Sequence, residues 1–276
     1  MKHFCIMANE EKDPKGYMAN RLADSFRSKG CRAYVVPPMV PGDEYGELML
    51  EPGTECAIIL GGDGTLLRAA KLLQPSGVPI MGINLGNLGF LTALEYQDAE
   101  KAIEQLISDQ YRIEQRTLLQ VDFQGEIAEK TAMNDVVIAR AGFSRLIRLR
   151  LLVNGQVVED YRGDGVVIAT PTGSTGYSLS AGGPVVSPMA KTLVVTPICP
   201  HMLSARPLVV SEDDVISVEV FPGSRSMEKE AQVTVDGDET LALSVGQTVT
   251  VSRSEATIPI VMLEGISFWD KVHCKL

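Results

Sequence analysis

Hydrophobic and polar positions follow two different rhythms along the chain. In the first third, short apolar runs alternate with stretches of helical spacing: His3 to Ala8 reads as a strand, and Ala19, Leu22, Ala23 and Phe26 fall on one face of the helix after it. Gly30 is placed to cap that helix at its C-terminus. Cys31 to Val36, Ala57 to Leu60 and Pro79 to Ile83 read as further buried strands, and Asp98 is placed to cap a helix with the stripe Ala99, Ala102, Ile103, Leu106 and Ile107. Such alternation predicts a parallel sheet with helices packed on it. From about Tyr111 the pattern changes to strands and tight turns. Asn154-Gly155 joins Leu149–Val153 to Gln156–Glu159 as a hairpin, Val233 and Val235 alternate before the turn Asp236-Gly237, and Thr248–Ser252 and Ile258–Leu263 read as two late strands. The predicted fold class is therefore an α/β N-terminal domain with a parallel sheet, residues 1–110, and a mostly β C-terminal domain, residues 111–262. A tail, residues 263–276, packs back on the first domain, with the only tryptophan, Trp269, as a core anchor.

Composition narrows the functions open to such a chain. A length of 276 residues, 45% of them hydrophobic, supports one large core or two moderate ones. The net charge of −10 sets it against nonspecific binding to nucleic acid or an anionic membrane, both of which it would repel. No stretch approaches the roughly 18 apolar residues of a membrane span, and the N-terminus lacks a basic segment followed by a long apolar run, so the chain reads as cytoplasmic. Five cysteines without a C-x-x-C pair suit reduced, buried thiols. With only three histidines, a general base at neutral pH is expected to be a carboxylate.

The strongest local signal is the apolar strand Ala57–Leu60 running into Gly61-Gly62-Asp63-Gly64-Thr65 and then a helix that continues through Leu73. Glycines let an anion approach backbone N–H groups at a helix N-terminus, and Thr65 is placed to cap the helix. A carboxylate beside phosphates is repelled unless it holds a metal or takes a proton, so Asp63 stands out; the plain alternative is a glycine-rich turn with a capping Asp. A second glycine loop, Gly82 to Phe90, departs from the G-x-G-x-x-G spacing and is as well explained by a surface turn as by ligand contact. The stretch Arg162 to Pro184 is crowded with hydroxyls and glycines, more hydrogen-bonding capacity than a connector needs, and Tyr177 adds an aromatic face. Asn134-Asp135 either brackets a ribose or forms an Asx turn. Arg145, Arg148 and Arg150 concentrate positive charge that reads as a solvated strand face or as part of a polyphosphate site, and His201 sits in a proline-rich turn.

These segments, in this order, resemble the NAD kinase family over nearly the whole chain. The resemblance is carried by Gly61 to Thr65, Gly82 to Leu91, Asn134-Asp135, Gly163-Asp164-Gly165, Pro171 to Pro184 and Thr196 to Pro207. The first motif is shared with lipid kinases and phosphofructokinases; the long Ser/Thr/Gly segment is specific. The resemblance implies transfer of the terminal phosphate of ATP, or of another donor such as polyphosphate, to the adenosine ribose 2′-hydroxyl of NAD, in a site between two domains of a homodimer or homotetramer. It implies Asp63 as general base and the backbone of Gly61, Gly62, Gly64 and Thr65 as the donor-phosphate seat, with Mg²⁺ whose protein ligands are unassigned. For NAD it implies Asp63, Gly64, Asn134, Asp135, Asp164 near the nicotinamide end, and Thr175, Gly176, Tyr177, Ser178, Leu179 and Ser180, with Arg68, Arg145 and Arg162 meeting charged groups. Three positions depart from the family pattern: Gly176 where alanine is common, Asp135 where glutamate is frequent, and Asp238 where an amide is usual. The rivals are a lipid kinase, which the polar Thr170–Gly183 segment disfavours, a non-catalytic dinucleotide sensor, which an intact Asp63 turn disfavours, and a nicotinamide-dependent oxidoreductase, whose G-x-G-x-x-G turn is lacking.

Overall fold

The computed structural model describes all residues except 39–47, 87–88, 124–125, 143–145, 222–230 and 238. The chain forms two compact units, Met1–Gln115 with Ile258–Leu276, and Arg116–Thr257. These limits differ by a few residues from those expected at 110 and 262. The long strands at Tyr111–Phe123 and Thr248–Leu263 run through both limits, so no turn residues mark them in the sequence.

In the first unit β1 (His3–Ala8), β2 (Arg32–Val35), β3 (Cys56–Gly61), β4 (Ile80–Asn84) and the short β5 (Leu94–Glu95) pair in parallel, with β3 between β1 and β4. The apolar runs of β1, β3 and β4 are buried throughout, as strands covered on both faces require. Helix α1 (Tyr17–Ser28) buries the predicted stripe Ala19, Leu22, Ala23 and Phe26, and Phe26 stacks on Phe4 with ring centroids 4.1 Å apart. Gly30, at φ 79°, ends the helix as expected, with its N–H donating to the Arg27 carbonyl. Helix α2 (Asp63–Leu73) follows β3, and α3 (Ala99–Ile107) follows β5. Asp98 stands at the N-cap position of α3, but its side chain makes no cap bond, because a 3₁₀ turn over Tyr96–Asp98 already leads into the helix.

The second unit opens within β6 (Tyr111–Phe123), which pairs antiparallel with β7 (Glu126–Ala132). Further along lie β8 (Asp135–Arg140), β9 (Ile147–Val153), β10 (Gln156–Gly163), β11 (Gly165–Ala169), the one-turn α4 (Tyr177–Ser180), β12 (Thr192–Ile198), β13 (Leu208–Ser211), β14 (Ile216–Phe221), β15 (Ala231–Val235), β16 (Glu239–Leu243) and β17 (Thr248–Leu263). Six of them form an antiparallel sheet in the order β13-β12-β11-β8-β15-β16. Ile147, Leu149 and Val218 of β9 and β14 share a core with Val136, Ile138, Val166, Ile168 and Val233 from that sheet, the arrangement of a sandwich. Asn154 and Gly155 both have positive φ, as a two-residue hairpin requires. The two late strands expected at Thr248–Ser252 and Ile258–Leu263 are one continuous strand, because the polar stretch between them stays extended.

Helix α5 (Phe268–Lys275) closes the chain and belongs with the first unit. The expectation for Trp269 is overturned: it is 58% exposed, its ring edge-on to Phe268, while Lys271 is the buried residue of this helix. Cys5, Cys31 and Cys56 are buried, but Cys199 and Cys274 are exposed, so the thiols are not uniformly interior.

Candidate active site

The glycine turn of the first unit is shaped by close contacts. Gly62 takes the N-cap position in extended conformation and α2 begins at Asp63; the first helical bond runs from Leu66 N–H to the Gly62 carbonyl at 3.0 Å, leaving the N–H groups of Asp63, Gly64 and Thr65 without a helical acceptor. Thr65 is thus inside the first turn and does not cap it. Its hydroxyl accepts from Asn9 Nδ2 at 3.1 Å, and a Cβ on Gly61 would stand 2.5 Å from it.

Asp63 is held from across the turn. Its Oδ2 accepts from Phe90 N–H at 2.7 Å and its Oδ1 from the N–H groups of Leu91 and Thr92 at 3.1 and 3.3 Å. A Cβ on Gly89 would fall 1.8 Å from Asp63 Oδ1, so glycine at 89 is a steric requirement of this seat. Lys271, buried in α5, donates to the carbonyls of Phe90 and Thr92 at 3.0 and 2.6 Å, clamping the same loop from its other side. A carboxylate offers about four acceptor sites, so three donors orient the group and leave one lone pair for a further proton donor.

Two side chains absent from the sequence expectations stand at the same turn. Asn84, 1% exposed at the end of β4, donates to the Gly86 carbonyl, while its Oδ1 is buried without a partner 3.9 Å from where a Gly62 Cβ would lie. Lys12 Nζ lies 3.4 Å from that same point and 3.5 Å from the corresponding point on Gly86. Asn84 falls within the Gly82–Leu91 segment but stands out there by no feature of its own, and Lys12 lies more than forty positions upstream of the turn; their proximity comes from the parallel order of β1, β3 and β4. Arg68, one turn into α2, is half-buried and its Nε has no partner.

In the second unit the period of the strands builds a pocket of about 460 Å³. Val136 and Ile138 face the core, so Asp135, Val137 and Ala139 face the other way, and Gln232, Thr234 and Asp236 do the same on β15 and the turn after it. Asn134, Gly237 and Tyr177, the last 46% exposed at the start of α4, complete the lining. Asp236, at φ 48°, accepts from the N–H groups of Met133, Asn134 and Asp135 at 2.8, 2.8 and 3.0 Å, and its own N–H donates to the Asp135 carbonyl. Asn134-Asp135 is therefore not a local Asx turn but is pinned by a residue a hundred positions away. Asp135 is 7% exposed; burial, helped by the neighbouring Asp236 charge, pushes its carboxyl up to about 7.

Four hydroxyls of the Ser/Thr/Gly segment bond to protein atoms, within the segment or on neighbouring strands. Thr170 donates to the Met133 carbonyl, Ser174 to Pro171 at 2.7 Å, Thr175 to Thr172 at 3.3 Å, and Ser178 is buried against Thr196 at 2.9 Å. Glycine at 183 is required because a Cβ would lie 2.4 Å from Ser178 Oγ. A Cβ on Gly176 would stand 3.7 Å from Asp135 Oδ2 and 3.8 Å from Asn134 Nδ2, which puts two of the three departures from the family pattern, Gly176 and Asp135, at one spot. Leu179 is half-buried and Ser180 exposed. Asp164 forms an ion pair with Arg140 Nε at 2.7 Å, and Arg162 is exposed on β10. Arg145 and Asp238 lie outside the described residues. Among the described residues no group of three or more His, Cys, Asp or Glu side chains is arranged to hold a metal.

Two family models match, the ATP-NAD kinase N-terminal domain over residues 5–111 and the ATP-NAD kinase C-terminal domain over residues 133–263. An NAD kinase from Lachnoclostridium phytofermentans is 41% identical over the full chain and 99% of its own length, and one from Moorella thermoacetica is 44% identical over 80% of this chain and 71% of its own. Among solved structures, yeast NADH kinase complexed with NADH superposes over the full chain and 87% of its own with a TM-score of 0.81 at 26% identity. An NAD kinase from Archaeoglobus fulgidus in complex with ATP covers 99% of this chain and 98% of its own with a TM-score of 0.76 at 25% identity.

Proposed function

The chain belongs to the NAD kinase family, and from that premise we propose how its own residues divide the work of phosphorylating NAD. The enzyme moves the terminal phosphoryl group of ATP to the 2′-hydroxyl of the adenosine ribose of NAD: the new bond joins the 2′-oxygen to phosphorus, the bond to the leaving diphosphate breaks, and the hydroxyl proton goes to Asp63. The observation that carries this role is the Asp63 carboxylate, fixed by three backbone N–H groups at the mouth of a glycine turn with one acceptor site left. The N–H groups of Asp63, Gly64 and Thr65 seat the donor phosphates, with Gly62 keeping a side chain out of the way and Gly61 making room for Thr65 beneath the turn.

The donor set suits a divalent cation that arrives on the phosphates more than one caged by the protein, since among the described residues one unpartnered buried oxygen, Asn84 Oδ1, stands beside the turn. When bound, Mg²⁺ there neutralises charge that builds on the transferring group. NAD occupies the pocket on the outer face of the six-stranded sheet, where Asn134 and Asp135 address the ribose and Tyr177 offers a face for a base. Gly176 and Asp135 leave that corner two carbons roomier than the family pattern. Thr175, Ser178 and Leu179 act through the backbone of this loop, Ser180, Asp164, Arg68, Arg145 and Arg162 through their polar groups. We propose further that the protein is cytoplasmic and assembles as a homodimer or homotetramer; no described helix is long and apolar enough to cross a membrane.

A coupled assay of NADP formation from NAD, ATP and Mg²⁺ tests the reading. Asp63→Asn is expected to lower kcat by about 10²- to 10⁴-fold with NAD affinity kept within a few-fold. Equal losses of turnover and NAD binding would remove Asp63 from the role of base, and a wild-type protein that binds NAD but forms no NADP with ATP or polyphosphate would favour the sensor.

A further inference from the structure

We propose that Lys12 is a positioning residue for the phosphoryl donor, its ammonium group binding the donor's phosphate chain above the glycine turn. The inference rests on the donor seat assigned above and adds a charge to it. A triphosphate brings several negative charges to a chain whose net charge is −10, and Asp63 stands in the same turn, so backbone N–H groups alone leave a large repulsion uncompensated. Lys12 Nζ is within 3.5 Å of the Cβ points of both Gly62 and Gly86, which places it over the two glycine turns at once.

Its placement is not that of a loose surface side chain. The Lys12 N–H donates to both the carbonyl and the Oδ1 of Asn9 at 3.2 Å, and Asn9 Nδ2 donates to Thr65 in the first turn of α2, so the loop after β1 is tied to the glycine turn by two successive hydrogen bonds. The second, independent observation is Asn84 Oδ1, buried without a partner beside the same point. A buried acceptor left without a partner is costly, and a ligand carrying a cation at this spot would satisfy it. Lys12 itself is exposed, as a group that meets an incoming substrate must be.

The test compares wild type with Lys12→Met and Lys12→Arg in steady-state kinetics, with titration calorimetry of magnesium tripolyphosphate as a direct probe. Lys12→Met is expected to raise the KM for ATP about 10- to 100-fold and to weaken tripolyphosphate binding by a similar factor, with the KM for NAD within twofold and the melting temperature unchanged; Lys12→Arg is expected to recover most of the loss. An unchanged KM for ATP, or parallel rises for ATP and NAD, overturns the assignment. The outcomes separate from those of the parent reading, because a wild type without kinase activity defeats that reading while tripolyphosphate binding to wild type and Lys12→Met still decides the role of Lys12.

Discussion

The glycine turn of the first unit and the sheet-face pocket of the second are made of different materials. The turn is built from backbone: N–H groups of α2, a carboxylate held by the N–H groups of Phe90, Leu91 and Thr92, and glycines where any side chain would collide. The pocket is built from side chains on alternate strand positions and from two carboxylates, Asp135 and Asp236, one of which organises the backbone under the other. Backbone sites tolerate changes in volume poorly, because nothing in them can rotate away. Side-chain sites respond instead to the loss of charge or of a hydrogen-bonding group.

The largest effect that this difference predicts is at Gly89. An added Cβ would fall 1.8 Å from Asp63 Oδ1, so Gly89→Ala has to displace either the carboxylate or the loop that Lys271 clamps. Turnover is expected to fall about 10²- to 10³-fold, approaching the loss expected for Asp63→Asn, with the NAD dissociation constant little changed. A variant with near wild-type kcat would mean that Asp63 need not sit where the three N–H groups hold it.

The pocket's most sensitive position is Asp236, which no local sequence feature connects to Asn134-Asp135. Asp236→Ala removes the acceptor for three N–H groups, and a cost of about 3 kcal/mol in urea unfolding is expected, together with a tenfold or greater weakening of NAD. Asp236→Asn keeps one oxygen acceptor and is expected to fall between the two. Wild-type unfolding and NAD affinity in the alanine variant would show that the Asn134-Asp135 turn stands without this support.

The same contrast explains what was legible in the sequence. The strands and helices of the first unit follow from apolar runs and helical stripes, and Asp63 stands out because its neighbours are glycines that serve a backbone site. The unseen parts depend on juxtaposition: Lys12 and Asn84 meet through the order of three parallel strands, Asp236 reaches back a hundred positions, and Lys271 arrives from the last helix. Helix α5 misled because aromatic bulk suggested burial for Trp269, whereas the helix turns a lysine inward to two carbonyls. The hydroxyl-rich segment was conspicuous for its capacity to bond a ligand, yet Thr170, Ser174 and Ser178 use that capacity to fix the loop itself. Chemical richness was readable; the partner of each group was not.

The smallest effect is the one that reports most directly on the pocket's carboxylates. Burial and the Asp236 charge raise the Asp135 carboxyl to about 7, above the roughly 3.9 of an unfolded aspartate. Between those values the native protein holds a proton that the unfolded chain has lost, so this group's contribution to stability is complete below about pH 4 and declines as pH rises through 7. With a limiting slope of about 1.4 kcal/mol per pH unit, shared with the other titrating groups, wild type is expected to lose up to about 2 kcal/mol more than Asp135→Asn between pH 5 and pH 7. The measurement is urea unfolding of both proteins across that range. The amide cannot ionise, so it is expected to flatten the slope and to match or exceed wild-type stability at pH 8, where the native protein carries two neighbouring charges. Parallel curves for the two proteins would mean that Asp135 is ionised throughout the range.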